Sequence, residues 1–269
     1  MKNNILYITY NNYPPLIKKK FSSKFNEKFN NSFIWDPQII KKRYKKLDWT
    51  VLDYSKFFKE KNKRKIRYQK GWLKNGCMAW HPRIIYQSLI DLCKPNDILV
   101  YHDINFDKYP IYLKNFDFEK NFYSKILSSH SVALFRDTYQ PLKVQCKNFL
   151  IKKYKLEKYK NLNGFWLGFI VVKNNHKGRK FVKEWCKLST INNLGPLPDT
   201  NVVDREFICN TASQSTLSIL YYKERKMREY IKIVYTPFRQ IFKFNIFYLR
   251  NVKAFLFIKY NELMSMLKS

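Results

Sequence analysis

Short apolar runs with strand chemistry alternate along this chain with segments of helical period, and that alternation narrows the fold more than any other feature. NILYITY (4–10) is β-branched and aromatic and is stopped by NNYPP. DWTVLDY (48–54), DILVYHD (97–103), SVALF (131–135) and NGFWLGFIVVKNN (163–175) repeat the pattern. Between them, Pro82 suits a first helical turn, where its missing N–H would be unpaired anyway. Ile84, Ile85, Leu89, Ile90 and Leu92 then recur at helical spacing until KPND ends the segment. Residues 17–47 read as helical in part, and SKFFKEKNKRKIRYQK (55–70) as a helix or a loop. PLKVQCKNFLIKKY (141–154) reads as a helix, as does KGRKFVKEWCKL (177–188), with Phe181, Val182, Trp185 and Leu188 on one face. The Gly/Pro loop NNLGPLPDTNVVD precedes a helix that runs through QSTLSILYYKER. Strands alternating with helices predict an α/β fold, a sheet with parallel members flanked by helices.

With 269 residues, 45% of them hydrophobic, the chain has the material for one large domain or a domain with an appendage. Its charge is extreme: 52 Lys+Arg against 20 Asp+Glu, formally +32. Such a field attracts polyanions, whether nucleic acid, an anionic membrane or phosphorylated small molecules. The lysines, however, are spread among Asn, Tyr, Phe and Ile over the whole length, which also fits a compositional bias. No helix-turn-helix, RRM, KH or zinc-finger signature accompanies them, so no specific nucleic acid is expected. A nucleic-acid-binding basic protein, stacking bases on its many Tyr and Phe, stays as the rival reading. Cys77, Cys93, Cys146, Cys186 and Cys209 are odd in number and never form a CxxC pair, which fits reduced thiols in a cytoplasmic protein. The N-terminal run is short and alternates like a strand rather than a signal peptide. No segment offers about 20 uninterrupted apolar residues, so a soluble chain is expected.

From about Tyr221 the character changes. Residues 221–269 hold eleven Lys/Arg, three Glu and twelve Tyr/Phe. The sequence therefore divides into a domain over 1–224 and a basic, aromatic, amphipathic segment over 225–269. Such a helical tail either lies on a membrane surface, rings at acyl depth and cations near anionic headgroups, or packs on the domain with its cations in water.

In open α/β sheets ligands bind outside the carboxyl ends of the strands, so the polar tip of DILVYHD is the first place to look for a site. Asp103 and Asn105 alternate around Ile104, and their oxygens can face one side of the strand end. Both are hard ligands suited to Mn²⁺ or Mg²⁺, although Asp and Asn also end strands simply because they tolerate turns. His102 falls on the opposite face, where a core role is favoured.

The stretch from Gly76 to Asn105 resembles a block in small bacterial and viral glycosyltransferases of the GT-A, or nucleotide-diphospho-sugar, fold. There a GYWLWKP-type segment leads into a helix and then a gDILlYlDaG-type strand. This chain matches at Gly76, Trp80, Pro82, Asp97, Tyr101 and Asp103, with His81 in place of the usual Lys and Asn105 in place of a small residue. FVKEWCKL (181–188) looks like a later helix of such enzymes. ASQSTLSILYYKE (212–224) looks like their HDQSLLSLL segment, with Ala212 and Ser213 where His and Asp are expected.

The resemblance implies a GT-A-like Rossmann-type mixed sheet and an enzyme that moves a sugar from a nucleotide sugar donor to a surface glycan or lipid-linked acceptor. It would be peripheral on the inner face of the cell membrane, its tail meeting an anionic membrane surface. Asp103, with Asn105, would hold Mn²⁺ or Mg²⁺ against the diphosphate. His81 and Arg83 would meet phosphate at a helix N-terminus, and Trp80 would stack on base or sugar or else sit in the core. Gln214 and Ser215 would touch the acceptor. Asp199 and Asp204 are the candidates for a general base, with helix capping the competing role. Ala212 and Ser213 leave open a metal-independent or catalytically degenerate relative.

Overall fold

The computed structural model describes residues 4–11, 15–39, 80–103, 120–190, 193 and 213–235. The chain divides into two units, Met1–Val234 and Tyr235–Ser269. Six strands form one mixed sheet: β1 (Ile5–Tyr10), β2 (Ser32–Trp35), β3 (Ile98–His102), β4 (Val132–Pro141), β5 (Asn163–Lys173) and β6 (Ile231–Tyr235). Their order across the sheet is β2-β1-β3-β5-β4-β6. β1 is parallel to both β2 and β3, while β5 runs antiparallel to β3 and to β4. The expected parallel members thus form one half of the sheet, from the β2 edge to β3, and the sheet as a whole is mixed.

The helices are α1 (Pro15–Lys28), α2 (Trp80–Asp91), α3 (Lys120–Ile126), α4 (Leu142–Gln145), α5 (Asn148–Lys153), α6 (His176–Leu188) and α7 (Ser213–Lys223). β3 is buried at every position, and its alternation sorts the core into two layers. Leu99 and Tyr101 join Ile84, Ile85 and Leu89 of α2, Phe181 and Trp185 of α6, and Leu217 of α7. Ile98 and Val100 face Tyr123 and Leu127 on the other side. The face read for 177–188 is buried as expected, at Phe181, Val182, Trp185 and Leu188. α6 begins where Asn175 Oδ1 accepts the Gly178 N–H at 2.8 Å, an N-cap that satisfies one orphan donor. A Cβ at Gly178 would come within 2.2 Å of the Lys173 carbonyl, so glycine lets the helix start press against the end of β5.

Three features differ from the sequence reading. The outer partner of β1 is the four-residue β2, inside a stretch read as partly helical; the expected strand at 48–54 lies outside the described residues. The expected helix at 141–154 is two short helices, because Cys146 and Lys147 are extended between them. That break lets Cys146 and Leu150 both enter the core. Beyond residue 224 the chain forms a 3₁₀ helix (Arg225–Tyr230) and β6, which carry the sheet eleven residues into the aromatic segment; residues 236–269 lie outside the described residues. No helix among the described residues is long and apolar enough to cross a membrane.

Candidate functional site at the end of β3

Asp103 follows the last residue of β3 and is kept in strand-like register by its N–H, which donates to the Gly168 carbonyl at 3.0 Å. The parallel neighbour β1 ends at the same edge, since Ile8 pairs with Tyr101. Two residues back on the same face, the Tyr101 hydroxyl donates to Asp103 Oδ1 at 2.7 Å. Tyr101 is 1% exposed, whereas the Asp103 side chain is 38% exposed. A buried phenol therefore holds one oxygen of a carboxylate that reaches solvent. The other oxygen, Oδ2, takes no hydrogen bond from the described residues. It lies beside bare backbone: a Cβ on Gly168 would stand 2.9 Å from it and 2.3 Å from the Trp166 ring.

Behind Tyr101 the chain of contacts continues inward. His81 Nε2 lies 2.7 Å from the Tyr101 hydroxyl, and His81 Nδ1 lies 2.9 Å from Ser213 Oγ. His81 is buried at the first turn of α2, and Ser213 is buried at the start of α7. A carboxylate can only accept, so Tyr101 spends its proton on Asp103 and its oxygen must accept from Nε2–H. Burial lowers the His81 pKa, against the pull of Asp103. In the neutral imidazole Nδ1 is then the acceptor, and the Ser213 hydroxyl donates to it. Every proton in the series Ser213, His81, Tyr101 points towards Asp103. Hydrogen bonds aligned in one sense polarise one another in a low-dielectric interior. Burial pushes the Asp103 pKa up, but the nearby His81 imidazole, which becomes a cation as the pH falls, and the Tyr101 hydroxyl outweigh it and leave the carboxyl below its ordinary range.

The residues expected at the site separate into three groups. Trp80, His81 and Asp103 come together. The Trp80 ring stacks on Tyr10 at 4.0 Å and leans on His81, with a centroid distance of 3.8 Å. Its Nε1–H is buried with no acceptor among the described residues. Arg83, two positions along α2, is turned towards α6, where its charge pulls down a Cys186 thiol that burial nevertheless raises to about 12. Gln214 and Ser215 are drawn to α4: Gln214 Nε2 donates to Gln145 Oε1 at 2.9 Å, and the Ser215 hydroxyl donates to the Gln145 carbonyl at 2.5 Å. Ser215 is fully buried, a placement that fits α7 packing rather than acceptor contact. Asn105, Asp199 and Asp204 lie outside the described residues. His102, on the opposite face, is buried against Phe169 and Phe29, and its Nδ1–H donates to the Asp103 carbonyl at 3.0 Å.

Tyr101, Ser213 and Gly168 were not singled out by chemistry in the sequence. The signal for Tyr101 was present, since residues i and i−2 of a strand share a face. Nothing local marks Ser213, which is 132 residues from its partner.

Among the described residues no group of three or more His, Cys, Asp or Glu is gathered for a metal. One carboxylate on a side chain that is 38% exposed, with an oxygen that accepts nothing from the described residues, nevertheless fits the share a protein contributes to Mg²⁺ or Mn²⁺ when phosphates and water complete the shell. Comparison of the chain with protein-family models, curated proteins and solved structures finds no match.

Proposed function

We propose that the chain is a glycosyltransferase of GT-A type, moving a sugar from a nucleotide-diphospho-sugar donor to a surface-glycan or lipid-linked acceptor. The observation that carries the reading is Asp103: a carboxylate at the carboxyl end of a central parallel strand, with one oxygen held by Tyr101 and the other accepting nothing from the described residues. Ligands settle at such edges in open α/β sheets. Asp103 would hold Mn²⁺ or Mg²⁺, which supplies a positive charge to the leaving diphosphate as the glycosidic bond breaks. The chain's own contribution is to keep the carboxylate charged and fixed in direction before any donor arrives, so little reorganisation is needed when charge develops.

Two departures from the family blocks meet behind the proposed site. The chain departs from the family blocks at position 81, where His replaces Lys, and at 213, where Ser replaces Asp. Those two side chains touch, at 2.9 Å across 132 residues. Both side chains are buried, and each satisfies a polar atom of the other. On this reading Ser213 sustains the site from behind.

The test is a thermal-shift panel of nucleoside diphosphates and nucleotide sugars, with and without Mn²⁺, followed by turnover of whichever donor binds. Stabilisation by one nucleotide class, lost in Asp103→Asn along with turnover, is the expected result. A panel without any shift, or an Asp103→Asn protein that turns donor over at the original rate, would remove the assignment.

A further inference from the structure

The two oxygens of Asp103 are not equivalent, and that asymmetry has a consequence for which ion the site accepts. Oδ1 is occupied by a hydrogen bond of 2.7 Å from Tyr101. That phenol cannot easily turn away: it is 1% exposed, its oxygen is itself met by His81 Nε2 at 2.7 Å, and His81 is braced by Ser213 at 2.9 Å. A hydrogen bond to a charged acceptor is about twice as strong as a neutral one. Oδ2, by contrast, lies over Gly168, where a side chain would crowd it, and accepts nothing from the described residues.

We propose that Tyr101 is a positioning residue that makes Asp103 a one-oxygen ligand, and thereby sets the site for a small octahedral cation such as Mn²⁺ or Mg²⁺ against Ca²⁺. The inference rests on the diphosphate-gripping role proposed above for Asp103. Ca²⁺ gathers six to eight oxygens at longer distances and readily takes both oxygens of one carboxylate. Mg²⁺ demands near-octahedral geometry and is satisfied by single oxygens from one or two carboxylates, with phosphate and water completing the shell. A carboxylate whose second oxygen is locked by a buried phenol serves the second kind of ion and starves the first. Gly168 belongs to the same device, because it leaves the free oxygen unobstructed.

The full-length chain is titrated with Mn²⁺ in the presence of inorganic pyrophosphate, read by the electron paramagnetic resonance of free and bound Mn²⁺, and Ca²⁺ is then added as competitor. Tyr101→Phe keeps the ring and deletes the one hydroxyl. Outer partners of a metal ligand typically alter affinity ten-fold or more, so the Ca²⁺-to-Mn²⁺ affinity ratio should rise about ten-fold in this variant. Because His81 Nε2 stands 3.9 Å from the same oxygen, Tyr101→Phe with His81→Leu removes the nearest substitute donor and should show the larger change. An independent measurement needs no phenol variant: infrared difference spectra of the wild type with and without Mn²⁺, with Asp103→Asn as blank, should show the wide carboxylate splitting of single-oxygen ligation. A two-oxygen splitting overturns the proposal. So does Mn²⁺ binding that Asp103→Asn abolishes while the ion ratio stays within about two-fold in both phenol variants, a result that leaves the role of Asp103 standing. Absence of Mn²⁺ binding to the wild type overturns both.

Discussion

Gly168 joins backbone geometry to site chemistry. Its carbonyl accepts the Asp103 N–H, and its missing side chain leaves room for both the Trp166 ring and the Asp103 carboxylate. Gly168→Ala would place a methyl 2.3 Å from a Trp166 ring carbon. Overpacking of that kind costs about 1–3 kcal/mol, to be read from urea denaturation. The same variant should weaken Mn²⁺ binding, because either the ring or the carboxylate has to give way. A second prediction concerns acid. Burial holds His81 and His102 below their ordinary 6.5, so between that value and their native pKa the unfolded chain binds protons that the folded chain refuses. Stability is then complete above about pH 6.5 and is lost as the pH falls, at up to about 1.4 kcal/mol per pH unit for each histidine. Asp103, also lowered, adds a loss of the same sign below about 3.8. His81→Gln keeps a donor towards Tyr101 and an acceptor for Ser213 but cannot take up a proton there. Its unfolding free energy should fall less steeply between pH 6.5 and 5 than that of the wild type, and an identical slope would show that His81 is not the group refusing the proton.

At the scale of elements, legibility followed burial. β1, β3 and β5 were readable because their central residues lie under two layers of apolar side chains, and a strand covered on both faces shows itself as an unbroken apolar run. α2 and α6 were readable from one-sided periodicity. β2 was not: four residues, three of them only partly buried, give no period to find. The break at Cys146 was invisible because the segment carries neither Pro nor Gly there, and tertiary packing overrode a helix that local propensity allowed. The site was legible in the same graded way. Asp103 announces itself as a charge at the tip of an apolar strand, whereas the Ser213–His81–Tyr101 series is assembled only when α2, β3 and α7 are brought together. Local rules are also strained in one place that can be measured. α5 ends in a Schellman motif, with Lys155 N–H donating to the Lys152 carbonyl and Leu156 N–H to that of Ile151. Lys155 sits at φ 54°, where glycine is usual. Lys155→Gly should raise stability by about 0.5–1 kcal/mol, the relief of a left-handed side chain less the entropy glycine loses. A thermal midpoint that is unchanged or lower would mean that the side chain of Lys155 contributes more than its backbone costs.

For the molecule as a whole, +32 sets the terms of association. A charge of that size attracts any polyanion, so electrostatic attraction alone does not separate a membrane from a nucleic acid. The separation comes from what lies between the cations. Residues 236–269 carry six Lys/Arg against one Glu, interleaved with eight Phe/Tyr. Each cation near an anionic leaflet contributes about 1 kcal/mol, and that contribution fades once salt shortens the Debye length. Aromatic rings that enter the acyl boundary add a part that salt does not screen. The chain should therefore sediment with phosphatidylserine-containing liposomes in 0.1 M NaCl, bind less in 0.5 M NaCl, and retain a residual fraction there. A variant lacking 236–269 should lose at least about ten-fold in liposome affinity, roughly 1.4 kcal/mol, and nearly all of the salt-resistant fraction. Its Mn²⁺ binding at Asp103 should stay as in the full chain, since β6 ends at Tyr235 and every described residue of the site lies before it. Equal liposome affinity with and without the segment would refute the anchor. Binding that vanishes wholly in 0.5 M NaCl, while single-stranded nucleic acid is held at the same salt, would move the tail from a membrane surface to a stacking role on bases.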